Sequence, residues 1–339
     1  MLPQIRVAIN DRSEVGAARR AAVELSQSHG FDATQAGKVG LCVTEAATNI
    51  VKHAGSGQIL LRVLERAGRE PASFGLEIIA LDRGPGIANF DASLRDGVST
   101  AGSPGTGLGA LARLSDSFDA YVPAGRGSVM RVEIWAEPAA TAELELGAIC
   151  LPKSGESISG DAWGVVSARG RHTFMVADGL GHGPEAARAS HAALRVLRNR
   201  PQDDPTQVIE ACHRALVPTR GAAVAVGKIA MAEENGSFCG VGNIACRVEL
   251  GEIRRQLVSH NGTLGHNLRR VQQFEFGLPR GALLIFHSDG LATHWNLAEY
   301  PGLAGRHPGV IAGVLYRDHE RGRDDVTVLV VRSEGVPLI

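Results

Sequence analysis

The sequence has few aromatic residues, no excess of charge of either sign and no paired cysteines. Aromatics make up 4% of the chain, with three Trp, three Tyr and nine Phe. Binding single-stranded nucleic acid by stacking needs aromatics interleaved with basic residues, and no long Lys/Arg block is present. The 35 basic and 36 acidic residues leave a net charge of −1. Such a balance gives no general attraction to nucleic acid or to an anionic membrane. The five cysteines (Cys42, Cys150, Cys212, Cys239, Cys246) are odd in number and lack CxxC spacing. That argues against a disulfide framework or a zinc site and for free thiols in a reducing compartment. No apolar run is long enough to span a bilayer. The opening MLPQIRVAINDRSEVG is charged early and has no apolar core, unlike a secretory leader. The expectation is a cytoplasmic protein whose partners are neither nucleic acid nor membrane.

Glycine, by contrast, is abundant, at 42 of 339 residues, and many of these glycines fall inside short motifs. The length fits two domains. Composition shifts near AEPAATAELELG (136–147), which divides the chain into 1–137 and 144–334. The fold class expected is α+β in two domains. In the first, residues 14–29 and 35–53 have helical spacing, the latter with Val39, Cys42, Val43, Ala46, Ala47 and Ile50 on one face. QILLRVLER, FGLEIIALD and SVMRVEIWA read as strands, and 109–122 reads as a helix running into a strand. In the second, WGVVSAR, HTFMVAD, AAVAVGKIAM, FCGVGNIACRVEL, IRRQLVS, ALLIFHSD and VTVLVVR read as strands. Helices fit at 184–200, 205–217 and 308–317. That pattern suits two packed sheets with helices outside.

Three motifs of the first half occur in the order EAATN (45–49), DRGPG (82–86) and GTGLG (105–109). Glu45 and Asn49 are four apart and share a helix face. A carboxylate and an amide stacked in this way can order a water or hydroxyl and ligate magnesium, which takes few protein oxygens beside those of phosphate. Asp82 ends an apolar strand and can accept from an exocyclic amine such as that of adenine. Gly84 and Gly86 let the backbone approach the base. Gly105, Gly107 and Gly109 precede a helix whose N–H groups can meet phosphate oxygens. The small, polar stretch 89–104 suits a lid.

Together these residues resemble the ATP-binding boxes of the GHKL ATPase/kinase superfamily, and most of all the small anti-sigma-factor serine kinases of the RsbT type. The resemblance implies an α/β sandwich holding ATP with Mg2+, Glu45 as general base and Asn49 as magnesium ligand. It also implies a Ser or Thr on a STAS-domain regulatory protein as substrate.

The second half places Asp161, Asp178, Asp289, Asp324 and Asp325 at the ends of strand-like runs, in SGD, VADGLGHG, SDG and RDDVT. Clustered carboxylates are costly unless a cation neutralises them. Oxygen-only donors favour magnesium or manganese over zinc. Two such ions can clamp a phosphoryl group for in-line attack. Together with GVGN (240–243) and NGTLGH (261–266), the pattern resembles the SpoIIE branch of the metal-dependent PPM serine/threonine phosphatases, in the short RsbX-like form. The resemblance implies a β-sandwich flanked by helices and two Mn2+ or Mg2+ ions. It gives Asp178 a bridging position between the ions, with one of them also held by the Gly179 carbonyl. Asp289 and Asp324 hold the other, Asp161 supports the second ion, and Asp325 is a further metal candidate. His182 is a candidate for orienting substrate or water.

The two halves point in opposite directions, one toward adding phosphate and one toward removing it. The expected function is a bifunctional partner-switching regulator. It would be a kinase-like ATP-binding domain and a phosphoserine/phosphothreonine phosphatase acting on a STAS-domain protein of a sigma-factor or cyclase pathway. The alternative is a phosphatase whose first domain senses ATP and sequesters a partner without catalysis.

Overall fold

The computed structural model describes residues 3–66, 73–87, 90, 107–137 and 144–333. The chain forms two compact units. The first joins Leu2–Ala142 with Gly305–Arg317, and the second joins Glu143–Ala304 with Asp318–Ile339. The fold is α+β in both. Among the described residues, no helix is long and apolar enough to cross a membrane.

The first unit is built on an antiparallel sheet in the order β1-β2-β3-β5-β4. Its strands are β1 (Ile5–Ile9), β2 (Gly57–Arg66), β3 (Ser73–Asp82), β4 (Ser117–Tyr121) and β5 (Ser128–Trp135). Strand β1 pairs with β2; its five residues are too few to stand out as a period in the sequence. Helices α1 (Arg12–Gln27) and α2 (Ala33–Asn49) each begin on a capping box, Asp11 with Glu14 and Asp32 with Gln35. In each box the Asp carboxylate accepts from a first-turn N–H while the later side chain reaches back to the cap N–H. With α3 (Gly107–Leu114), these helices cover one sheet face. Alternation along the strands places Ile59, Leu61, Val63, Leu76, Ile78, Ala80, Met130, Val132 and Ile134 in that core.

The opposite face carries Leu60, Arg62, Glu77, Ile79, Leu81, Val129 and Arg131, all of them buried. A helix from much later in the chain, α6 (Pro308–His319), lies against it. Gly309 and Gly313, one helical turn apart, allow the close approach. A Cβ built on Gly313 would be 2.7 Å from Val129 Cγ1 and 3.5 Å from Ile79 Cγ2. The Tyr316 hydroxyl donates to Gln58 Oε1 at 3.1 Å. Near the end of α6 the Arg317 guanidinium donates to the Asp82 carbonyl at 3.4 Å, and Arg83 donates to the Arg317 carbonyl.

Under the start of α6, Glu77 sits with both carboxylate oxygens on arginines, Arg62 and Arg131, each at 2.7 Å. Arg62 is directly opposite Glu77 across the strand pair. Burial alone pushes the Glu77 carboxyl upward, but the two guanidinium charges outweigh it and hold the group at about 2.

The second unit is a sandwich of two five-stranded antiparallel sheets, β13-β10-β9-β8-β7 and β12-β11-β14-β15-β6. The first sheet comprises β7 (Asp161–Ala168), β8 (Arg171–Gly179), β9 (Ala222–Ala230), β10 (Asn235–Val241) and β13 (Phe274–Gly277). The second comprises β6 (Glu145–Leu151), β11 (Ala245–Leu250), β12 (Ile253–Leu257), β14 (Leu283–His287) and β15 (Val326–Arg332). Phe174, Val176, Phe238, Phe276, Leu284, Phe286 and Leu329 fill the space between the sheets. Helices α4 (Pro184–Asn199) and α5 (Pro205–Leu216) cover the outer face of the first sheet through Ala189, Ala193, Leu197, Val208 and Ile209. Proline opens both helices, where its missing N–H is no loss. The stretch FCGVGNIACRVEL, expected as one strand, is two. The chain leaves β10 at Val241 and enters the other sheet at Ala245, so a continuous apolar run hides a change of sheet.

Candidate functional site

In the first unit, the apolar stripe of α2 is buried against the sheet, so Glu45 and Asn49 stay on a partly accessible side. The helix changes character at this point. Residues Ile50–Ala54 form a π-helical turn directly after Asn49, closed by Gly55 N–H donating to the Ile50 carbonyl at 2.9 Å. Such turns are rare and frequent at functional sites. The Asn49 side-chain nitrogen is buried with no hydrogen-bond partner among the described residues. A buried unpaired donor is costly, and a phosphate oxygen is the kind of acceptor that would satisfy it.

Asp82 is the last residue of β3, where its carboxylate is almost fully buried. One oxygen accepts from Gly84 N–H at 2.8 Å, and the other accepts from the Ser128 hydroxyl. Ser128, on β5, had no spacing signal that would have marked it. The loop after Asp82 packs onto the π-helical turn. A Cβ on Gly84 would be 2.6 Å from Ala54 Cβ, so only glycine fits. Gly86 adopts a positive φ of 68° beside the Pro123 carbonyl. The turn 123–127 holds this loop, with Gly127 N–H donating to the Gly84 carbonyl at 2.9 Å. Sequence motifs more than thirty residues apart are thus brought to one place. Gly107 and Gly109 fall in the first turn of α3, which packs against α2. Gly105 and nearly all of the 89–104 stretch lie outside the described residues.

In the second unit, Asp161 opens β7 and Asp178 nearly closes β8, and the register places them directly opposite each other. Like charges facing each other across a strand pair destabilise it. The Asp161 carboxylate is 1% exposed, and among the described residues its Oδ2 has no hydrogen-bond partner within 3.5 Å. Burial raises both carboxyl groups above the usual range. At Asp178 the charges of Asp161, Asp289 and Asp324 add to the effect; at Asp161 the Ser288 and Thr327 hydroxyls act against it, while the charges of Asp325 and Asp289 add to it. Asp289 follows β14, and Asn243, in the turn between β10 and β11, donates to its Oδ2 at 2.7 Å. Gly290 lies against the Asp325 carbonyl, where no Cβ has room. That close contact ties the SDG turn to the RDD turn.

Asp325 differs from the others. Its Oδ1 accepts from Lys153 N–H at 2.8 Å and its Oδ2 from Gly160 N–H at 2.9 Å. It braces the entry to Asp161, a role its sequence position does not show. His182, in the loop after Asp178, is fixed by Glu156 at 2.7 Å.

The donor set is all oxygen and acidic, with one buried oxygen unpartnered, which fits a magnesium- or manganese-type ion. Among the described residues, no three His, Cys, Asp or Glu side chains are closed tightly enough about one point to form a finished cage. The free cysteines are all buried. Burial raises the Cys150 thiol to about 12 and the Cys212 thiol to about 12, so neither offers a thiolate nucleophile at neutral pH.

Residues 9–133 match the histidine kinase-like ATPase domain family, and residues 168–334 match the Stage II sporulation protein E (SpoIIE) family. The serine/threonine-protein kinase RsbT of Bacillus subtilis (strain 168) is 33% identical over 135 residues, which is 40% of this chain and 98% of that protein. The phosphoserine phosphatase RsbX of the same organism is 30% identical over 143 residues, 42% of this chain and 71% of that protein. Among solved structures, a chain from work on the bacterial stressosome, a modular system adapted to control secondary messenger signalling, is 29% identical. It covers 56% of this chain and 100% of its own length, with a TM-score of 0.53. The chain therefore belongs to two families in succession: the histidine kinase-like ATPase domains in its first half and the SpoIIE-type PPM serine/threonine phosphatases in its second.

Proposed function

We propose that the second unit dephosphorylates a phosphoserine or phosphothreonine on a STAS-domain regulatory protein, and that the first unit binds MgATP and phosphorylates the same protein. The observation that carries the phosphatase half is the facing pair Asp161 and Asp178, with a buried, unpartnered oxygen and two further carboxylates raising the Asp178 carboxyl. Asp178 with the Gly179 carbonyl, Asp161, Asp289 and Asp324 would hold two Mg2+ or Mn2+ ions. Asn243 orients Asp289, and Asp325, with both oxygens on backbone amides, is assigned to bracing. Ions held there would supply Lewis acidity toward the phosphoryl oxygens and an activated water.

In the first unit, Asp82 would accept from the adenine amine, and Asn49 would meet magnesium and phosphate. Gly84, Gly86, Gly105, Gly107 and Gly109 would admit the nucleotide, and Glu45 would take the proton from the target hydroxyl. The shared target is supported by the pairing of an RsbT-like with an RsbX-like sequence on one chain and by the likeness to a stressosome chain.

The test uses labelled ATP, a candidate STAS-domain protein and the Asp178→Asn chain, which cannot remove what it adds. The expected result is label accumulating on the partner with Asp178→Asn and none with Asp178→Asn/Glu45→Ala. No label with Asp178→Asn would end the kinase reading and leave a first unit that binds ATP and sequesters its partner.

A further inference from the structure

We infer that Arg220 grips the phosphate of the substrate in the second unit. This rests on the phosphatase reading and extends it to a residue that no sequence motif marks.

Arg220 lies in the short link between α5 and β9, and the backbone on both sides of it is fixed. Thr219 N–H donates to the Leu216 carbonyl at 2.9 Å, and its hydroxyl donates to the same carbonyl at 2.6 Å. Gly221 N–H donates to the Thr219 hydroxyl oxygen at 3.0 Å. Leu180 N–H, two residues after Asp178, donates to the Gly221 carbonyl at 3.0 Å. The link that carries Arg220 is therefore bonded directly to the loop that follows Asp178. Strand pairing reinforces the bond, since Gly179 is opposite Ala222.

The side chain points along that same loop. A Cβ built on Gly181 would be 3.3 Å from Arg220 Nη1. On its other side the loop approaches the Asp161 strand entry, where a Cβ on Gly160 would be 3.5 Å from the Gly181 carbonyl oxygen. The guanidinium thus lies beside the loop that follows Asp178 and passes the entry to Asp161. It is exposed and has no hydrogen bond or ion pair among the described residues.

A bound phosphomonoester carries up to two negative charges and must approach four carboxylates. A planar fork of N–H donors matches phosphate oxygens two at a time. Arg220 is placed to offer that fork without competing for the carboxylates themselves. It binds substrate and takes no part in proton transfer, so its loss should appear mainly in KM.

The full chain, loaded with Mn2+ or Mg2+, is compared with Arg220→Ala, Arg220→Lys and, as a control, Arg214→Ala on the exposed side of α5. Charge-assisted hydrogen bonds of this kind set the expected rise in KM for p-nitrophenyl phosphate at about 10- to 100-fold in Arg220→Ala, with a smaller change in kcat. Arg220→Lys should recover part of the loss, and Arg214→Ala should leave KM unchanged. Binding of inorganic phosphate to the calcium-loaded chain, read by calorimetry, should weaken in parallel while calcium affinity stays the same. A KM and a phosphate affinity within about two-fold of the parent would overturn the inference. So would an effect confined to a phosphoprotein substrate, because Arg220 would then contact the partner and not the phosphate. If the parent hydrolyses nothing, the phosphatase reading fails, yet the phosphate-binding comparison still decides Arg220.

Discussion

At Gly313 two general rules disagree about sign. Glycine inside a helix costs about 1 kcal/mol against alanine, so propensity alone makes Gly313→Ala stabilising. Packing gives the opposite answer. The added Cβ would be 2.7 Å from Val129 Cγ1, well inside the ~3.5–4.0 Å at which carbon atoms rest. Val129 is fully buried on β5, between Leu81 of β3 and Tyr121 of β4. A β-branched side chain has few rotamers into which it can retreat. Overpacking of this kind costs about 1–3 kcal/mol, so the net expectation for Gly313→Ala is a loss of about 0–2 kcal/mol. Val129→Ala removes two methyl groups, worth about 1.6 kcal/mol of transfer free energy before any cavity cost. In the double variant the new methyl occupies the space that valine gave up, so the two changes should offset each other by about 1–2 kcal/mol. Native-state hydrogen exchange in α6 and β5 reads the local opening free energy for all four proteins of the cycle. Stronger protection in Gly313→Ala would refute the packing argument. So would effects that add to within about 0.5 kcal/mol.

The buried Glu77 makes the first unit acid-sensitive. Its carboxyl is at about 2 in the folded chain against an ordinary 4.5. The stability it contributes is therefore present above the ordinary value and is lost as pH falls toward about 2. A shift of 2.5 (4.5 minus 2) corresponds to about 3 kcal/mol. Urea midpoints between pH 5 and pH 2 should fall less steeply in Glu77→Gln, which also loses about 3–5 kcal/mol at neutral pH because the carboxylate charge facing two buried arginines is gone. An unchanged slope would remove Glu77 as the cause. In the nucleotide site, Asp82→Asn should weaken MgATP binding about 10-fold or more, read with a fluorescent nucleotide. Binding equal to the parent's would place the adenine elsewhere.

Long elements were legible in the sequence. The 3.6-residue stripe from Val39 to Ile50 gave α2 because burial on one helix face imposes that period, and the apolar runs 74–82 and 128–136 gave β3 and β5, which are buried on both faces. Aspartates at the ends of apolar runs marked strand ends: Asp161 and Asp178 face each other across β7 and β8, and Asp289 and Asp324 lie beside β14 and β15 of the other sheet. Strands β1 and β13 were too short to show a period. The break between β10 and β11 was invisible because both strands enter buried surroundings and so read as one apolar run. Contacts set only by tertiary placement left no trace either. Ser128 meets Asp82, and Asp325 turns to two backbone amides, through register and loop geometry that residue type does not encode. The attachment of 305–317 to a sheet formed some two hundred residues earlier belongs to the same class.

That attachment bears on how the protein is made. The first unit is assembled from two stretches, and the 162 residues of Glu143–Ala304 separate them. At roughly 5–20 residues per second, a ribosome needs about 8–30 s to cover that distance. Throughout that time Ile79, Leu81 and Val129 lack the helix that buries them, so the sheet of the first unit waits for a helix made after most of the second unit. A chain that stops short of residue 317 yields neither unit whole. Interrupted synthesis therefore does not release a finished first unit without most of the phosphatase sequence.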